Sequence, residues 1–130
     1  TLGLDIIYRK KFYGQLLNEY FDEDRTILVT THQIEEIEHI LTDVIFINKG
    51  KLILDMPIEN IANQFIQLTV DRHKAEQARQ LQPLNEVEQM NKLVMVFRNV
   101  DRSRLDALGQ LSTPRLADLF VACIEDADHD

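Results

Sequence analysis

Tyr8, Phe12, Leu16 and Tyr20 recur every fourth residue, with Tyr13 and Leu17 beside them. That spacing predicts an amphipathic helix of about four turns. Asp5 stands where an N-cap would accept from first-turn N–H groups, and Asp22-Glu23-Asp24-Arg25 closes the segment. Gly14 suggests a point of close packing. Thr26-Ile27-Leu28-Val29-Thr30 is β-branched and apolar in its middle, the pattern of a buried parallel strand. After Thr31-His32-Gln33 a second helix is expected, with Ile34, Ile37, Ile40 and Leu41 on one side and Glu35 and Glu36 in its first turn. Val44–Ile47 and Leu52–Leu54 flank Asn48-Lys49-Gly50-Lys51, which predicts a hairpin closed by a type I turn with a bulge. Pro57 opens a short helix through Ile58 and Ile61.

The rhythm changes near Asn63-Gln64. Phe65–Val70 reads as a strand, His73–Leu81 as a polar-faced helix, Glu86–Glu88 as a short strand and Leu93–Phe97 as a stronger one. Asp101 is placed to cap a helix carrying Leu105, Leu108 and Leu111, and Pro114 precedes a last helix with Leu116, Leu119, Phe120, Cys123 and Ile124. Helices and strands alternate, so the class is α/β or α+β, with a β-α-β-β-α unit in the second half.

The 130 residues contain 14 basic and 22 acidic side chains, a net charge of −8 spread over both halves. Such a field disfavours broad contact with nucleic acid or anionic lipid. A single cysteine, Cys123, excludes an intrachain disulfide and fits a reducing compartment. No apolar run approaches the length of a membrane span, so direct insertion is not expected.

His32 is the sharpest candidate for chemistry. It follows the carboxyl end of the expected parallel strand at the start of a helix, where open α/β sheets bind ligands and helix N-termini favour anions. Read by position alone, it is either a capping or loop histidine or a donor to phosphate, with Thr30 and Thr31 as neighbouring hydroxyls. His39, His73 and His129 lack partners at metal-ligand spacing, which gives surface histidines and no metal site. Glu35, Glu36 and Glu38 read as a solvated helix face, Cys123 as core, and Glu125 to Asp130 as a frayed polar tail.

Taken in order, Thr1-Leu2-Gly3-Leu4-Asp5, Ile27-Leu28-Val29-Thr30-Thr31-His32, Glu35-Glu36-Ile37-Glu38, Asp43–Ile47 and Asn48-Lys49-Gly50-Lys51 resemble the C-terminal part of an ABC transporter ATPase subunit. The resemblance spans residues 1–63. It implies that Asp5 belongs to the D-loop, at the interface of a nucleotide sandwich dimer, and couples the two ATP sites. It implies that His32 is the switch histidine, contacting the γ-phosphate and aligning the attacking water. Leu4 would pack, and Lys49 and Lys51 would be solvated. No G-x-x-x-x-G-K-[ST] loop, signature motif or Asp-Glu pair occurs in the sequence. The expectation is a fragment cut inside the D-loop, unable to hydrolyse ATP by itself. Its parent would use ATP and Mg, pair with a second ATPase subunit and a membrane permease, and lie peripherally at the cytoplasmic face of the membrane.

Residues 64–130 resemble the C-terminal extension of bacterial exporter ATPases, in which Thr113-Pro114-Arg115-Leu116-Ala117-Asp118-Leu119-Phe120 looks like the final helix. The short interval from Leu108 to Pro114 suggests that the last strand of the extension is missing. Two domains follow: the C-terminal part of an ATPase core at 1–63 and a small α+β accessory domain at 64–130. An exposed sheet edge and uncovered apolar helix faces predict self-association. The rival reading is a non-catalytic regulatory or dimerisation module that takes a small ligand through its second half.

Overall fold

The computed structural model describes residues 2–20, Thr26, Leu28 and 33–128. The chain is mixed α/β, and its described residues form five α-helices and two antiparallel sheets. It divides into two compact units, Thr1–Leu41 and Thr42–Asp130. The sequence-derived boundary at 63/64 falls inside the second unit, just before a strand begins.

In the first unit α1 runs Leu2–Tyr20. Asp5 therefore lies within the helix and is not its cap. Tyr8 and Phe12 of the apolar stripe are 74 and 54% exposed, as is the neighbouring Ile7 at 56%, and Phe12 meets Tyr13 edge-on at 5.7 Å. Among the described residues a Cβ on Gly14 would meet nothing within 4 Å, so this glycine marks no close approach to them. The second helix expected here is two 3₁₀ turns, Ile34–Glu36 and Glu38–Ile40, interrupted at Ile37 with ψ −3°. Ile34, Ile37 and Ile40 are three apart, and side chains at that spacing eclipse in a 3₁₀ turn. β-branching also weakens their support for an α-helix. The strand expected at 26–30 falls largely outside the described residues; Thr26 and Leu28 carry no strand pairing.

The second unit opens with a hairpin of β1 (Asp43–Asn48) and β2 (Lys51–Pro57). Its turn is tighter than expected. Asn48 pairs with Lys51, and the two linking residues, Lys49 and Gly50, have φ of 52° and 76°. Two left-handed central residues match the twist of the flanking strands, as in a type I′ turn. The bulge is present but lies in the ladder: Phe46 pairs with Leu54 and Ile47 with Leu52, leaving Ile53 as the extra residue. Strict alternation buries Val44, Phe46, Leu54 and Met56 on one face.

A 3₁₀ turn at Ile58–Asn60 and α2 (Ile61–Gln64) lead into β3 (Phe65–Val70). Then follow α3 (Ala75–Arg79), β4 (Asn85–Gln89), β5 (Lys92–Arg98), α4 (Arg102–Leu105), β6 (Gly109–Ser112) and α5 (Leu116–Asp128). The spatial order is β4-β5-β3-β6, all antiparallel. A βαββαβ chain with that order is the ferredoxin-like arrangement. The last strand, judged missing from the short Leu108–Pro114 interval, is present as β6. The helix expected to reach Leu111 stops at Leu105, with Asp101 Oδ1 accepting from Ser103 N at 3.2 Å as its cap. The last helix continues through the acidic residues to Asp128 instead of fraying after Ile124.

Period-2 alternation divides the core between the two faces of this sheet. Leu68, Val70, Leu93, Met95 and Phe97 pack with Ala75, Ala78 and Leu105 of α3 and α4. Phe65 and Val96 have the opposite parity and are also buried, as are Leu116, Leu119, Ala122 and Cys123 of α5. α5 reaches both β4 and β2, and Phe46 meets Phe120 edge-on at 5.1 Å. The hairpin is thus joined to the four-stranded sheet through α5.

Candidate functional site

His32, with Thr30 and Thr31, lies outside the described residues, as does His129. Asp5 is placed by its backbone in the first turn of α1. What the first unit does define is a connection between α1, which contains Asp5, and the residues that follow position 32 in the sequence. Arg9, one turn after Asp5 on α1, reaches the residues immediately after His32. Its Nη1 donates to Gln33 Oε1 and to Glu36 Oε1, the latter at 2.9 Å. The Glu36 side chain is only 14% exposed, so this carboxylate is not part of a solvated face; Glu35 is exposed as expected.

The local cause is steric and electrostatic together. The first 3₁₀ turn places Glu36 three residues after Gln33, and Glu36 N donates to Gln33 O at 3.3 Å. Both acceptors then face the same side, and one guanidinium satisfies them. A planar, permanently charged donor suits this better than lysine, because a guanidinium can hold two acceptors in fixed geometry. Sequence reasoning missed Arg9. The available signal was its position four residues after Asp5 and the pairing of a cation on one helix with acidic residues after His32.

The second unit contains a shallow cavity of about 200 Å³ lined by Leu52, Ile53, Leu84, Arg98, Cys123, Asp126 and Ala127. Arg98 stacks over the Phe65 ring at 5.2 Å and donates from Nη2 to Gln64 Oε1 at 3.3 Å. Cys123 is buried, and burial pushes its thiol up to about 11; Arg98 opposes the shift and Asp126 adds to it. A thiol held protonated in this way is core and not a nucleophile. Lys49 and Lys51 are exposed, and Lys49 Nζ lies 3.6 Å from Asp128 Oδ1. His39 and His73 are exposed. Among the described residues no group of three or more His, Cys, Asp or Glu side chains is arranged to hold a metal ion.

Comparison with known proteins adds no assignment: no family model matches the chain, and no curated protein matches it. The fold therefore defines the class by itself, a mixed α/β protein with a ferredoxin-like second unit. No helix among the described residues is long and apolar enough to cross a membrane.

Proposed function

We propose that this chain is the C-terminal part of the ATP-binding subunit of an ABC exporter, with its accessory domain. The observation that carries the reading is the ordered run from Thr1-Leu2-Gly3-Leu4-Asp5 through Thr31-His32 to Asn48-Lys49-Gly50-Lys51. The Arg9 pairing supports it, because it ties the helix bearing Asp5 to Gln33 and Glu36, which follow His32 in the sequence.

In the parent, His32 donates a hydrogen bond to the γ-phosphate and orients the attacking water. Asp5 acts across the dimer interface, and Arg9 positions both segments. The rest of the domain supplies the phosphate cradle, the Mg ligands and the general base, so this chain alone does not hydrolyse ATP. Preorganised donors around developing phosphoryl charge are the main source of catalysis in such transfers. The parent works with a second ATPase subunit and a permease at the cytoplasmic face of the membrane, held there by protein contacts. Neither nucleic acid nor direct membrane insertion enters the scheme.

Sequencing the gene upstream of Thr1 tests this directly. An in-frame phosphate loop roughly 120–150 residues earlier is expected. In the protein so defined, His32→Ala should cut hydrolysis strongly with modest loss of ATP binding. Unchanged turnover rejects the switch role.

One observation favours a second reading. The βαββαβ unit with its cavity beside Arg98 and Asp126 could serve a non-catalytic regulatory module for a small ligand. A reading frame without an upstream phosphate loop would select that alternative.

A further inference from the structure

Three elements of the second unit, α5, β2 and β5, contribute walls to its shallow cavity of about 200 Å³. Cys123, Asp126 and Ala127 are spaced i, i+3 and i+4, so one face of α5 supplies a wall. Ile53, the extra residue of the β2 bulge, supplies another with Leu52. Leu84 N donates to Val96 O at 2.7 Å, which holds Leu84 beside the end of β5, where Arg98 completes the lining.

Two opposite charges line this space without pairing to each other. The Arg98 guanidinium is held by the Phe65 ring at 5.2 Å and by Gln64 Oε1, which accepts from Nη2. That uses one of its five N–H groups, and among the described residues the others have no acceptor. The Asp126 carboxylate makes neither a hydrogen bond nor an ion pair among the described residues. Arg98 and Asp126 act on the Cys123 thiol in opposite senses, so both lie near the same sulfur, and the protonated thiol adds no third charge. The remaining lining is apolar, and Leu52 is 63% exposed.

A bare anion drawn to Arg98 would be repelled by Asp126, and a bare cation drawn to Asp126 would be repelled by Arg98. A molecule carrying both signs satisfies both groups. The cavity is smaller than the roughly 300–1,000 Å³ of pockets for drug-sized ligands, so its occupant is small. Aliphatic carbon suits Leu52, Ile53 and Leu84. We infer that this cavity binds a small zwitterionic amino acid with an aliphatic side chain. Its carboxylate meets Arg98, its ammonium meets Asp126, and its side chain covers Leu52 and Ile53. The site is shallow and its charges are solvated when free, so a dissociation constant of roughly 1 mM is expected. This inference deepens the small-ligand reading of the second unit and is independent of the ATPase reading.

Titration of L-leucine into the isotope-labelled 130-residue chain, followed by amide chemical shifts, tests it. Saturable shifts should concentrate at Ile53, Leu84, Arg98 and Asp126. Isocaproate, which is leucine without its ammonium, and isopentylamine, which is leucine without its carboxylate, should each bind about tenfold more weakly. Asp126→Asn, an exposed and nearly isosteric change, should weaken leucine by about tenfold without weakening isocaproate. Arg98→Gln should weaken leucine without weakening isopentylamine. Either analogue binding as tightly as leucine overturns the amino-acid assignment and leaves a small-ligand cavity, as does leucine binding indifferent to Asp126→Asn. No shift from any of the three compounds at about 20 mM overturns the small-ligand reading as well.

Discussion

Arg79 of α3 grips Glu86 of β4 through two parallel hydrogen bonds, Nε to Oε1 at 2.7 Å and Nη2 to Oε2 at 2.9 Å. The guanidinium holds the Glu86 carboxyl below its usual 4.5, chiefly by hydrogen bonding, with charge attraction adding and partial burial opposing. The stabilisation is therefore complete above about 4.5 and is lost as pH falls through the lower folded-state value. Arg79 is raised further above its ordinary range and stays charged throughout. Both side chains are substantially exposed, at 45 and 32%, so solvent and salt keep the effect small. Glu86→Gln should lower the urea midpoint at neutral pH, and the gap from wild type should close in acid. A gap that is constant with pH rejects the pairing.

Gly109 begins β6 where the chain returns to pair with β3. A Cβ there would lie 2.2 Å from the Thr69 carbonyl oxygen and 3.2 Å from Leu68 Cδ1. Backbone carbonyls in the central strand cannot withdraw without breaking the ladder. Gly109→Ala should cost about 1–3 kcal/mol, read from chemical denaturation. The protection of Leu111 N–H against hydrogen exchange should fall with it.

Leu119 is fully buried in α5. Leu119→Ala should cost about 2–5 kcal/mol, the range for a leucine removed from a packed core. Leu105→Ala, from the opposite face of the sheet, should cost a similar amount. If α5 were an appendage on a complete sheet, only the second substitution would matter.

Cys123 should resist alkylation at neutral pH in the folded protein and react readily in urea. Its thiol stands near 11 because burial opposes the thiolate. Equal rates in both states would place the sulfur at the surface.

Arg9 and Glu36 should couple in a double-mutant cycle of stability by about 0.5–1 kcal/mol, with the coupling falling as salt rises. Additive effects of Arg9→Ala and Glu36→Ala would separate the two elements.

Local chemistry made much of the second unit legible. β3 is Phe65–Val70 as the sequence predicts, because Leu68 and Val70 enter one side of the core and Phe65 the other, and a one-residue slip would exchange the two sets. Asp101 caps its helix because a carboxylate next to free N–H groups needs no distant partner. The failures share a cause. Ile34, Ile37 and Ile40 satisfy an α-helical and a 3₁₀ spacing equally well, and only the packed chain distinguishes them. Leu108 to Leu111 looked helical because leucines three apart fit a helix. In the structure β6 forms because β3 offers an open edge and Gly109 allows the approach.

The candidate site divides the same way. Sequence order alone singled out Asp5 and His32, since motif strings survive without coordinates. Arg9 emerged only from the fold: a cation at position 9 acquires a role when chain geometry brings residues 33 and 36 within hydrogen-bond reach. Composition and periodicity thus determined the α/β class and most strands of the second unit, consequences of short-range pattern. The order β4-β5-β3-β6, the sixth strand and the exposed face of the hairpin were decided by tertiary structure. They depend on which strand edges and apolar faces find partners, and that is a property of the assembled chain.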